Sequence, residues 1–99
     1  MIKDLIIKQC KKHGYELIGN AGWVDCLRFV NSNVRKEFQV FDVVVDKDLE
    51  SVRMAIIMDL GSWNEALDTD LNNTEEILKT IDLWISEESL KKLEEILEE

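Results

Sequence analysis

The chain is short of the residues from which most recognisable sites are built. It has one histidine and two cysteines in 99 residues. A structural zinc site takes four such ligands, so Cys10-x-x-His13 with Cys26 falls one short and no metal is expected. The same Cys10/His13 pair lacks the glycine-rich elbow and third orienting residue that accompany an activated nucleophile. With no other catalytic motif, neither enzymatic activity nor a cofactor is expected. There is no proline, no low-complexity stretch and no internal repeat, so nothing marks a linker. Residues 1–99 read as a single domain. No apolar run approaches the roughly 20 residues of a membrane span. The start, Met1-Ile2-Lys3-Asp4, lacks the apolar core of a secretory signal. These two absences point to a cytoplasmic protein with no membrane partner, in which Cys10 and Cys26 are free thiols.

What the chain does have is charge, unevenly spread. The net charge is -9 and the pI about 4.6. Residues 1–36 carry 7 Lys/Arg against 3 Asp/Glu, or +4; residues 37–99 carry 5 against 18, or -13. An acidic two-thirds repels phosphates and disfavours direct nucleic-acid binding. It suits a basic protein partner, or simply solubility. The apolar fraction of 45% is enough for a real core.

The stretch Phe38–Leu60 organises the rest. Phe38, Val40 and Val44 alternate with Phe41, Val43 and Val45. After a polar turn, Val52, Met54, Ile56, Met58 and Leu60 alternate with Arg53, Ala55, Ile57 and Asp59. This period of two, rich in β-branched residues, predicts two long strands joined through Asp46–Ser51. A strand apolar on both faces belongs inside a sheet.

Around this hairpin the other elements can be placed. Residues 2–13 have the spacing of an amphipathic helix, with Ile2, Leu5, Ile6, Gln9 and His13 on one face, Cys10 beside them and Gly14 as its stop. Tyr15–Ile18 reads as a short strand and Trp23–Asn31 as a second, with Leu27 and Phe29 opposite Cys26, Arg28 and Val30. Trp63–Asn72 is ambiguous, a short helix and then a loop. Asn73 with Glu76 resembles a capping box opening a helix through Ile77, Leu78, Ile81, Trp84 and Ile85. Ser86 caps a last helix carrying Leu90, Leu93, Ile96 and Leu97. The expected fold is α+β: an N-terminal helix, a three- to four-stranded antiparallel meander and two C-terminal helices.

Three further features are candidates for a site. Asp68-x-Asp70-x-Asn72 matches the opening of a calcium loop, but Asn73 stands where the loop needs glycine and Lys79 where it needs a bidentate glutamate. Trp23 and Trp84 lie within apolar patterns and suit core packing better than a ligand surface; Trp63 follows a turn. The acidic loops are the most informative. Asp46, Asp48 and Glu50 cluster in the hairpin turn. Glu65, Asp68, Asp70, Glu75 and Glu76 cluster between the sheet and the next helix. Brought together, they form a carboxylate surface that imitates nucleic-acid phosphates toward an Arg/Lys-rich groove. The alternative is a solvated surface whose glutamates favour a helix start.

Asp4-Leu5-Ile6 with the lysines that follow, Tyr15-x-Leu17, and Trp63-Asn64-Glu65 running into acidic residues and a last amphipathic segment resemble the small acidic type II-A anti-CRISPR proteins of phages and prophages. The likeness covers about the first 17 residues and Trp63–Leu83. It implies an α+β inhibitor that blocks the PAM-reading and DNA-entry surface of a guide-loaded nuclease, with Glu65, Asp68 and Asp70 facing arginines. The chain departs from that pattern at Ala66, Leu67 and in its long charged last helix. The expected function is a non-enzymatic inhibitor of a nucleic-acid-binding protein. The alternatives are an immunity or antitoxin-like protein against a basic toxin enzyme, and an oligomerising phage protein.

Overall fold

The computed structural model describes residues 2–20, 26–59, 62–63, 69–70 and 72–98. Helix α1 (Ile2–Lys12) leads into strands β1 (Glu16–Asn20) and β2 (Cys26–Val30). A 3-10 turn, Lys36–Phe38, precedes β3 (Val40–Asp46) and β4 (Ser51–Asp59). Two short strands, β5 (Ser62–Trp63) and β6 (Thr69–Asp70), come before helices α2 (Thr74–Ile85) and α3 (Glu87–Leu97). The strands β1 to β4 pair in sequence order, each antiparallel to the next. The outer edge of β4 is shared: β6 pairs with its beginning and β5 with its end. This is the expected α+β architecture, with four main strands.

Register divides the sheet into two faces. The pairs Phe29–Phe41–Ile56 and Leu27–Val43–Met54 run across β2, β3 and β4. Their side chains, with Val45 and Val52, form the core against Ile6 and Cys10 of α1 and Ile77, Ile81 and Ile85 of α2. The opposite face carries Arg28 directly across from Asp42 and Ala55. Asp42 is fully buried. Arg28 Nε and Nη2 donate to its two carboxylate oxygens at 2.9 and 2.8 Å. That hydrogen bond is the main reason the arginine pKa is raised.

Local chemistry explains the helix ends. Gly14, at φ +86°, adopts the left-handed conformation that closes a helix. Gly14 N–H donates to the Lys11 carbonyl and Tyr15 N–H to that of Cys10. At α2, the Asn73 side chain accepts from Glu76 N–H at 3.1 Å, the expected N-cap, and donates to the Glu76 carboxylate at 3.0 Å; the Asn73 N–H, which a full capping box would give to Glu76, donates to the Asp70 carbonyl instead. Ser86 Oγ accepts from Ser89 N–H and starts α3.

Some expectations need correction. Leu5 is 40% exposed, and Ile7 packs on the core instead, because α1 turns its Ile2–Ile6–Cys10 line to α2 and the sheet. Phe38 is not in the strand: its N–H donates to the Arg35 carbonyl within the 3-10 turn, and its own carbonyl accepts from the Tyr15 hydroxyl at 2.6 Å. Trp63 and Asp70 lie in short strands, since β4 offers a bare edge for them to pair with. Trp84 packs half-buried on the core as expected, while Trp23 lies outside the described residues.

Candidate interaction surface at the hairpin end

The acidic surface is assembled by strand pairing. Ser51, the first residue of β4, stands opposite Asp46 of β3 on one side and Asp70 of β6 on the other. Residues directly opposite one another point to the same face, so Asp46 and Asp70 flank Ser51 about 10 Å apart, two strand spacings. The sheet thus joins the hairpin turn to the segment that enters α2. Of the residues predicted to form one surface, Asp46, Asp48, Glu50, Asp70, Glu75 and Glu76 belong to this end of the molecule. Glu65 and Asp68 lie outside the described residues.

Backbone hydrogen bonds hold several of these groups. Asp46 Oδ1 accepts from the N–H groups of Asp48 and Leu49, both at 3.0 Å. Asp70 Oδ1 accepts from Asn72 N–H at 2.9 Å. These side-chain turns orient the two carboxylates before any partner arrives. Glu76 is held in the Asn73 cap, and Glu75 and Glu76 sit at the positive end of α2, which favours their charge. Glu50 reaches its place at φ +50°, an uncommon conformation for a residue with a side chain. Among the described residues, Lys47 in the turn and Lys79 on α2 are cations at this end, and Arg53 of β4 shares the face of Ser51. One feature escaped sequence reasoning: Leu49, at the tip of the turn, is 62% exposed among the acids. Its position within a polar turn was the available signal.

The cysteine and histidine candidates go elsewhere. Cys10 is fully buried, and burial, with a smaller contribution from Asp82, pushes its thiol pKa up to about 12. A thiol so held is a poor nucleophile and ligand. His13 Nε2 and Gln9 Nε2 both reach Asp82 Oδ1 at 2.6 Å, tying α1 to α2. Burial alone would raise the Asp82 pKa, but the hydrogen bonds from His13 and Gln9 outweigh it and lower it. Among the described residues, no group of three or more His, Cys, Asp and Glu side chains is placed to hold a metal ion. Asp70 and Asn72 of the calcium-like stretch bond to each other. No described helix is long and apolar enough to cross a membrane. No family model, curated protein or solved structure matches the chain.

Proposed function

We propose that the protein is a non-enzymatic inhibitor that offers its acidic end to the Arg/Lys-rich groove of a nucleic-acid-binding protein, in place of a phosphate backbone. The observation that supports this reading is the double pairing of Ser51 with Asp46 and Asp70. It makes one surface of two acidic groups far apart in the chain. The carboxylates of Asp46 and Asp70 are preset by their own backbone, so less order is lost when they meet arginines. Exposed Leu49 adds an apolar contact of the kind a protein partner covers. The resemblance in sequence makes a CRISPR effector nuclease the first partner to try.

The test reverses Asp48, Glu50 and Glu75 to lysine together. These three are exposed, and none of their side chains makes a cap or turn. A second triple variant reverses Glu88, Glu94 and Glu95 of α3, which are also exposed. Each protein is added to a guide-loaded type II-A nuclease, and target-duplex binding is followed by mobility shift. The wild-type protein should block duplex binding, and less so as salt rises, because salt screens the charges. The hairpin-end variant should lose the block and the α3 variant should keep it, with circular dichroism confirming that both fold. Loss in the α3 variant alone would move the interface off the acidic end. No block by wild type would remove this nuclease as the partner.

A further inference from the structure

The opposite end of the molecule holds a cleft of about 510 Å³, a volume in the range of small-molecule sites. It lies between the end of α1, the loop 31–35 and α3. Helix α3 runs along it. Ser86 is the single residue between α2 and α3, and its N–H still donates to the Asp82 carbonyl. At the far end Glu98 Oε1 comes within 3.7 Å of Arg35 Nη1. Half-buried Val34 lines the cleft, over Phe38, Ile85 and Leu90, which are themselves buried in the core.

Charge is sorted across this cleft. Every carboxylate that lines it comes from α3, where Glu87 and Glu94 stand one turn either side of Lys91. Facing them are Lys12, His13 and Arg35, with the amides of Asn31 and Asn33. His13 is engaged by Asp82, and Arg35 by Glu37 and Glu98. Among the described residues neither Lys12 nor Lys91 lies within salt-bridge distance of a carboxylate, and the charge of Lys12 also helps to lower the Asp82 pKa. A purely anionic ligand would meet two glutamates and a purely cationic one would meet the opposite wall. A molecule with both charges and an apolar body meets neither penalty.

We propose that this cleft binds a small zwitterion with an apolar side chain, a free amino acid or a dipeptide. Its carboxylate lies toward Lys12 and Arg35, its ammonium toward Glu87 and Glu94, and its side chain against Val34 and the edge of Leu90.

The test is a nitrogen-15 amide NMR titration of the whole chain with L-phenylalanine, with leucyl-phenylalanine, and with two capped forms, N-acetyl-phenylalanine and phenylalaninamide. For so small a ligand the expected Kd is about millimolar. Saturable shifts should be confined to the amides of 12–13, 31–38 and 85–94. Each capped form should bind roughly tenfold more weakly than phenylalanine, as expected when one desolvated charge loses its partner. Tighter binding of the dipeptide than of phenylalanine assigns the dipeptide; the reverse assigns the amino acid. In Glu87→Gln/Glu94→Gln the preference for phenylalanine over its N-acetyl form should disappear. In Lys12→Gln the preference over the amide should shrink. No saturable shift with either zwitterion, shifts centred elsewhere, or equal binding of zwitterion and capped forms would overturn the proposal. So would variants that leave both preferences intact.

Discussion

Arg28 and Asp42 offer the sharpest test of how this sheet is held. Asp42 is wholly buried, whereas the Arg28 side chain keeps 38% of its surface in solvent. The desolvation penalty of the pair therefore falls almost entirely on the carboxylate. Arg28→Met keeps much of the side chain's packing and removes both donors. It leaves a buried charge with no arginine, a change that costs 3–5 kcal/mol where the site stays dry. The gap beside a partly exposed arginine admits some water, so the loss should fall near the lower end, about 3 kcal/mol. For a chain of this size that is a drop in Tm of roughly 10–20 °C. Asp42→Val in the same background replaces the orphaned charge with a good strand former. The double variant should then recover about 2 kcal/mol relative to the sum of the single losses. Urea unfolding followed by circular dichroism measures all four proteins. If Arg28→Met loses less than about 1 kcal/mol, or the two substitutions are additive, the pair does not carry the energy argued for it and water must already reach Asp42.

Other predictions follow from burial and backbone geometry. Ile56 is fully buried opposite Phe41, so Ile56→Ala should cost about 2–5 kcal/mol in the same unfolding assay; under about 1 kcal/mol would mean the strand is packed differently. Gly14→Ala should cost about 1–3 kcal/mol in thermal unfolding, because alanine at φ +86° is strained and its Cβ would lie 3.0 Å from Asn31 Nδ2. Cys10 is raised from 9.0 to about 12, and Tyr15 is raised from 10.0, both chiefly by burial. Above about pH 9 the unfolded chain releases the Cys10 proton, and above about pH 10 the Tyr15 proton, while the folded chain retains both. Stability should therefore fall from about pH 9 upward, by about 1.4 kcal/mol per pH unit for each group once the pH is above its unfolded pKa. Cys10→Ala should flatten the first part of that decline, and an unchanged profile would show that the thiol is not so held.

Much of the fold is legible because its signals are local. The two alternations of Val40–Asp59, the Asn73/Glu76 cap, the Ser86 cap and the Gly14 stop each act within a few residues, and each stands in the structure. Leu5 and Phe38 were misplaced where two neighbouring readings were nearly equal. Leu5 and Ile7 both lie close to the apolar stripe of α1, and only the seating of the helix on the sheet chose between them. Phe38 continues the alternation of β3, but its carbonyl is held by Tyr15, a contact across 23 residues. Arg28 and Asp42 interrupt apolar strands, and only the register of β2 on β3 sets them face to face.

By itself, then, the amino-acid order determined the element types, their caps and turns, and the separation of a basic N-terminal third from an acidic remainder. Periodicity and capping depend on spacings of two to four residues, which survive in any arrangement of the elements. Tertiary structure alone decided which charges meet. The pairing of β6 with β4 brings Asp70 beside Ser51 and Asp46, and the passage of α3 over the loop 31–35 sets Glu87 and Glu94 across from Lys12 and Arg35. Those meetings depend on strand edges and helix seating chosen by burial of the whole core, a balance summed over residues far apart in the chain.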